Sequence, residues 1–373
     1  MKVVIEKNKL FEGLQRVFSV VPQKPTLPVL ANFLINLSSG RMIISGTDMD
    51  MSITTSLDCM VEEEGSVTIN AKRFLNIIRE LPEGEITLNI ENEKVTVEFK
   101  QGNSKIMGML STDFPPVKDS IDGVSVVLTG ENLFEMVDKT SFSVATERTR
   151  VSLTGVYWRI SSDNMIMVAT DGHRLSLLER KVNVAADSVS EAIVPPKALN
   201  QASRIFSSEE KMKLEKVVIG RGMILFDFGT TTVFSKLIEG PYPDFRQVIP
   251  DQSSKKVIIS NEELSAAIRR ALVLSDIRTH QVHFSLSQDK LEINTRNADI
   301  GGEAQESLSV QYSGDPLTVS LNASFLLEIL RKVETKEILI ELETPASACI
   351  IKPVVKEEKG EHLYLIMPLR LNE

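Results

Sequence analysis

Three stretches of this chain repeat one another in order, at offsets of 123 and 131 residues. Val3–Val21, Val126–Val144 and Val257–Ser275 each carry a short apolar strand running into an amphipathic helix, with Leu10, Leu133 and Leu264 in equivalent places. A second strand-then-helix unit covers Val67–Leu81, Ala192–Phe206 and Leu317–Val333. Between the helices lie short alternating runs, such as Lys94–Phe99, Met223–Phe228 and Lys290–Asn294, whose period of two marks strands with one buried face. Each third therefore reads as βαβββ followed by a second βαβββ. A period this long is no solenoid unit. The expectation is an α+β protein of three domains of one kind, at 1–122, 123–253 and 254–373. The joints near Lys118–Val124 and Asp251–Lys256 contain Asp, Ser, Gly or Pro, as linkers do.

The helices have one apolar face. In Ala71–Leu81 the stripe Phe74, Leu75, Ile77, Ile78 and Leu81 opposes Lys72, Arg73, Asn76, Arg79 and Glu80. Pro195-Pro196 suits a helix start, where the missing N–H costs little. Asn322 is a reasonable N-cap. Lys197, Gln201 and Arg204, Arg269 and Arg270, and Arg331 and Lys332 take outward positions on three other helices.

Charge then poses a problem. The net charge of −9 argues against a simple electrostatic binder of nucleic acid, which needs a basic excess. Yet the segments 9–21, 71–81, 131–144, 195–206, 261–274 and 322–333 together hold 12 Lys and Arg against 8 Asp and Glu, although 131–144 alone is net −2. Two readings stay open. Charged residues coat the solvated face of any amphipathic helix. Alternatively, the helices line a surface facing a polyanion while the acidic remainder discourages non-specific adsorption. A protein that encloses a duplex is held by topology and needs no tight contact.

The most pointed local feature is Val168–Arg180, which reads as strand, tight turn, strand. Asp171-Gly172 is a hairpin signal, because glycine reaches positive φ without a Cβ penalty. Gly46-Thr47-Asp48-Met49-Asp50 matches Ala169-Thr170-Asp171-Gly172-His173, and Asn294-Thr295-Arg296-Asn297 is a weaker third copy. An enzyme reading would pair Asp171 with His173 as acid and base, but no nucleophile motif accompanies them. His280 and His283 on alternating sequence would face opposite sides, without a Cys or carboxylate cluster to complete a metal site. There is no GxxxxGK[ST] loop. No cofactor is expected. Two cysteines, Cys59 and Cys349, form no CxxC pair and suit a reducing cytoplasm, and no apolar run approaches a membrane span.

The segment Val168–Leu175 resembles the signature turn of the bacterial replicative sliding clamps, the beta subunits of DNA polymerase III. Pro25-Thr-Leu-Pro28, Ala71-Lys-Arg-Phe74, Ser235–Gly240 leading to Tyr242-Pro-Asp-Phe-Arg246, and Met367-Pro-Leu-Arg-Leu371 match further family features in order, so the resemblance spans the chain. It implies the DNA-clamp fold and a non-catalytic role. Two subunits would close head to tail into a homodimeric ring around double-stranded DNA, helices inside and sheets outside. It also implies an external ATP-driven clamp loader. Polymerase alpha subunit, ligase and repair or translesion polymerases would dock through short extended peptides.

In the family those peptides enter a hydrophobic pocket between the second and third domains. Carried to matching positions, its wall comprises Leu153, Thr170, Gly172, His173, Arg174, Leu175, Pro243 and Val248, joined by Ala346, Ala348, Ile366, Met367, Pro368, Leu369, Arg370 and Leu371. The chain departs from the family pattern at Gln247, where some relatives are basic, at Leu369, which replaces a common methionine, and in Asn372-Glu373 beyond the usual terminal leucine. These changes bear on peptide specificity. Lys24, Arg73, Arg150 and Lys197 match basic DNA-facing positions. The dimer interface would join Ile106, within Lys105-Ile106-Met107, to the partner's Val273-Leu274 region, for which plain core packing is the competing reading. The alternative to a ring is a triplicated peptide-binding scaffold that does not encircle DNA.

Overall fold

The six amphipathic segments form α1 (Lys7–Phe18), α2 (Ala71–Glu80), α3 (Gly130–Thr140), α4 (Pro196–Phe206), α5 (Asn261–Val273) and α6 (Ala323–Leu330). In α2, Ala71, Phe74, Leu75 and Ile78 are buried and Ile77 half-buried, while Lys72, Arg73, Asn76, Arg79 and Glu80 meet water. Asn70 caps α2 by accepting the Arg73 N–H, and Asn322 caps α6 by accepting from Ser324 and Phe325. Pro195 is the N-cap of α4, and Pro196 sits inside its first turn. Gln201, expected outward, is half-buried and turns its amide toward the Ser19 carbonyl.

The computed structural model describes residues 1–118, 120–147, 149–161, 163–184, 190–207, 212–250, 253–354 and 360–369. Each third follows the expected βαβββ-βαβββ order, with the short additional strands Met60–Glu63 and Asn183–Val184 in the first two. The fold is α+β, in the element order that the resemblance implies.

The chain divides into two compact units that do not follow the repeats. The first is built mainly from Met1–Gly130 and Val194–Leu237, the second mainly from Glu131–Asn183 and Ile238–Glu373. In the first, a five-stranded sheet ends at the edge strand Gly102–Met107, and a nine-stranded sheet joins Thr231–Lys236 antiparallel to Met51–Asp58. In the second, a four-stranded sheet ends at Gly302–Ser309, and an eight-stranded sheet joins Arg174–Lys181 antiparallel to His362–Ile366. Strand pairing therefore runs across the repeat boundaries. In the second unit α5 packs on α6, and Leu264, Ala267, Ile268, Leu326 and Ile329 share one core with Val282, Ile293 and Tyr364.

Candidate functional site

Within the second unit, Asp171 builds the signature turn. One carboxylate oxygen accepts the N–H groups of His173 (2.9 Å) and Arg174 (3.0 Å), and the other accepts Arg174 Nε–H (3.1 Å). The Thr170 hydroxyl donates to the Arg174 carbonyl (2.6 Å) and accepts from the Gly172 N–H (3.1 Å). Gly172 sits at φ +89°, where a side chain is strained, and a Cβ there would lie 2.7 Å from Arg150 Nη2. The Asp171 carboxylate is thus engaged by backbone and arginine rather than by the His173 ring, which stands 6.5 Å from Phe325, near parallel. The geometry holds a turn; it does not assemble an acid–base pair.

Arg174 is buried behind that turn. It donates to Glu328 (2.7 Å) and to the Phe142 carbonyl (3.0 Å), with its guanidinium 4.4 Å from the Phe325 ring centre. It thereby ties the turn to α6. Arg150, expected among the DNA-facing residues, donates to the Asp171 carbonyl (3.3 Å) and so stands against the turn.

The floor follows from strand parity. Leu175 pairs with Leu365, and Leu177 with Leu363, across the two central strands. These four share one buried cluster with Tyr157, Val168, Ile350 and Ala348, and the segment carrying Tyr242, Phe245 and Ile249 packs over part of it. Tyr242 stacks on Tyr157 with ring centres 4.9 Å apart. Ile366, expected in the pocket wall, is fully buried in the other core, with Tyr364 and the α5–α6 leucines. Successive strand residues face opposite sides, so Leu365 takes the floor position. The alternation Leu363–Leu365 against Tyr364–Ile366 was the available signal, but two equally apolar sets leave the parity open.

The rim is accessible. Met367 is 38% exposed and Val248 48%. Pro243 and Ala346 are exposed, Thr170, Pro368 and Leu369 half-buried, and Leu153 and Ala348 buried. The Met367 N–H donates to the His173 carbonyl and the Leu369 N–H to the Ser320 carbonyl, both at 2.8 Å, so the tail forms a lip beside the turn. Gln247 is exposed and donates to Asp244 (3.1 Å). Arg370 and Leu371, with Asn372-Glu373, lie outside the described residues.

In the first unit the turn's side-chain-to-backbone bonds recur. Asp48 accepts the N–H groups of Asp50 and Met51, and Thr47 bonds the Met51 carbonyl and the Met49 N–H. Its surroundings differ. Phe234 and Ser52 stand opposite each other, as Leu365 and Leu175 do, and Lys236 bonds Asp50 where Met367 bonds His173. The third copy makes no such turn. Arg296, where the first two have aspartate, cannot accept backbone N–H groups, and the strand continues to Asn297.

Lys24, Arg73 and Lys197 are exposed, Arg73 on α2 and Lys197 on α4, where Lys197 pairs with Asp48. Ile106 is half-buried on the edge strand Gly102–Met107. Val273 is 77% exposed at the end of α5, and Leu274 is half-buried. Among the described residues no His, Cys, Asp and Glu gather in threes as metal ligands, and no helix is long and apolar enough to cross a membrane.

Comparison with known proteins agrees along the whole chain. Models of the DNA polymerase III beta subunit match in order: the N-terminal domain over residues 1–118, the central domain over 127–244 and the C-terminal domain over 246–370. The beta sliding clamp of Chlamydia muridarum is 31% identical over 374 residues, and that of Caulobacter vibrioides 30% over 382, each covering 100% of both chains. A sliding clamp from Pseudomonas aeruginosa superposes with a TM-score of 0.94 at 27% identity. One from Bartonella birtlesii bound to griselimycin does so at 0.93 and 28%, and both cover 100% of each chain.

Proposed function

The chain belongs to the DNA polymerase III beta subunit family, the non-catalytic sliding clamps of replication, and from that premise we propose that it works as a ring-shaped homodimer around duplex DNA. The three matched domains, close to 1–122, 123–253 and 254–373, would each contribute two helices to the inner wall. Lys24, Arg73 and Lys197 would face the phosphates there. Closure would pair the edge strand carrying Ile106 with the partner's edge strand Gly302–Ser309, beside Val273 and Leu274. Among the described residues both strands are paired on one side only, and an open edge invites such pairing. A head-to-tail contact closes into a ring when the rotation per subunit is right.

The groove floored by Leu175 and Leu365 and rimmed by His173, Val248 and Met367 would seat apolar anchors of short extended peptides. Polymerase alpha subunit, clamp loader, ligase and translesion polymerases would dock there in the bacterial cytoplasm. The observation that carries this reading is the apolar cluster of Leu175 and Leu365 beside a turn held by Asp171 and Arg174, with the apolar side chains of Val248 and Met367 exposed at its edge. A relative with bound griselimycin supports a ligand site on this fold. After loading by an ATP-driven loader, the protein should stay on circular DNA and run off once that DNA is cut. Equal retention on both forms would favour the open scaffold.

A further inference from the structure

The helices of the two units follow one plan, yet their charges are of opposite sign. In the first unit α1, α2 and α4 carry 8 Lys and Arg against 2 Asp and Glu. In the second, α3, α5 and α6 carry 3 against 6. Apolar stripes seat the helices in both units, so the fold itself does not demand this split. Charges act over about 8 Å at physiological salt, so this local sign, rather than the net −9, decides what a nearby phosphate meets.

Register within the repeat sharpens the difference. Counted from the N-caps Asn70, Pro195 and Asn322, equivalent positions hold Lys72, Lys197 and Ser324, and, two turns later, Arg79, Arg204 and Arg331. Two turns advance a helix by about 10.5 Å and return to the same face, so the paired cations of α2 and of α4 project together without sharing one phosphate. Lys72, Arg79 and Arg204 are exposed and have no carboxylate partner among the described residues. Arg79 stands 5.8 Å from the Phe11 ring centre, a contact that leaves its charge in place. In the second unit the cations are spent and acids remain. Arg270 is held by Glu306 through two bonds, at 2.6 and 2.8 Å, while Lys139 and Lys332 are paired with Glu135 and Asp138. Glu131, Glu262 and Glu263 are exposed without a cation partner among the described residues. Their place in the first turn suits the helix dipole and equally repels a phosphate.

We propose that duplex DNA is held by the first unit's helices alone, with Lys72, Arg79 and Arg204 as phosphate contacts, while the second unit's helices form a wall to which DNA does not adhere. The proposal rests on the reading that the helices face a duplex, and it adds which of them grip it. That reading takes all six helices as one lining; their charges divide them. Confining attraction to one unit limits how many phosphates are neutralised at once. Fewer counterions are then displaced, and the contact stays weak enough for sliding.

The test measures binding of a fluorescent linear duplex to the full-length, unloaded protein by polarisation across a range of salt concentrations. Each phosphate contact contributes about 0.9 to the slope of log affinity against log salt. Lys72→Gln with Arg79→Gln should lower that slope by roughly 1.8, and Arg204→Gln by about 0.9. Lys72→Arg with Arg79→Lys should keep the parent slope, since charge rather than side-chain shape is at work. Arg269→Gln with Arg331→Gln, on the second unit, should leave slope and affinity unchanged. All these side chains are exposed, so thermal melts of the variants should match the parent, and Arg204→Gln supplies an independent helix if the double variant melts early. An unchanged slope in both first-unit variants would overturn the proposal, as would an equal loss in the second-unit variant. Retention on circular DNA tests the ring separately: a ring that holds while no slope changes removes the grip, and a lost ring with altered slopes leaves the grip standing.

Discussion

Met49 and Gly172 occupy the same place in two copies of one turn, at φ +80° and +89°. Both turns use an aspartate to hold the next two N–H groups but one, and a threonine to close the hairpin. The methionine accepts a strain that glycine avoids, about 1–2 kcal/mol for a residue with a Cβ.

That difference predicts opposite outcomes for exchanges at the two sites. Met49→Gly should stabilise the protein by roughly 0.5–1 kcal/mol in urea titration, since relieved strain outweighs the added freedom of the unfolded chain. Gly172→Ala should destabilise by about 1–2 kcal/mol and weaken peptide binding, because its Cβ also displaces Arg150. A neutral Gly172→Ala would show that the turn tolerates a side chain.

Parity within the last strand separates binding from stability. Ile366→Ala should lower stability by about 2–4 kcal/mol, as for a buried large-to-small change, and leave peptide affinity unchanged. Leu365→Ala should lower both. The check is peptide titration well below each variant's Tm. An unchanged affinity in Leu365→Ala would move the floor elsewhere.

Arg174 should resist even conservative change. Lysine cannot reproduce the fork that bonds Asp171, Glu328 and the Phe142 carbonyl together. Arg174→Lys should cost about 1–2 kcal/mol and Arg174→Met about 3, the latter leaving carboxylates without their buried cation. Denaturant midpoints at constant slope measure both.

His362 makes stability pH-dependent. Burial, with Lys139 and Arg180 nearby, pulls its pKa down from 6.5 to about 4. The unfolded chain therefore binds a proton more readily than the folded one between those values. The stability attached to neutral His362 is complete above about pH 6.5 and is lost as pH falls toward 4. His362→Gln should flatten this part of the profile by about 3 kcal/mol. An unaltered slope between pH 6.5 and 4 would assign the acid sensitivity to other groups.

Val273→Glu should convert the dimer to monomer in light scattering without lowering Tm, because the residue meets water in the single chain. A dimer that persists would relocate the proposed contact.

Much of this could be read from periodicity. The stripe in α2, the Asn322 cap and the doubled βαβββ order depend on local rules of spacing and capping, and local rules survive in sequence. What escaped depends on partners distant along the chain. Ile366 and Leu365 are both apolar, and only pairing with Arg174–Lys181 decides which faces the groove. Arg150 reads as another surface cation until Asp171 is placed beside it.

The strand order also bears on how the protein is made. Thr55 and Thr231 share a buried hydroxyl contact of 2.8 Å across 176 positions of chain. The sheet begun near the N-terminus therefore lacks its neighbour until residue 236 has left the ribosome. During that interval Met51–Asp58 is an unpaired edge. At 5–20 residues per second the wait is roughly 10–40 seconds. The repeat that looks like an independent module is, for the growing chain, an unfinished one.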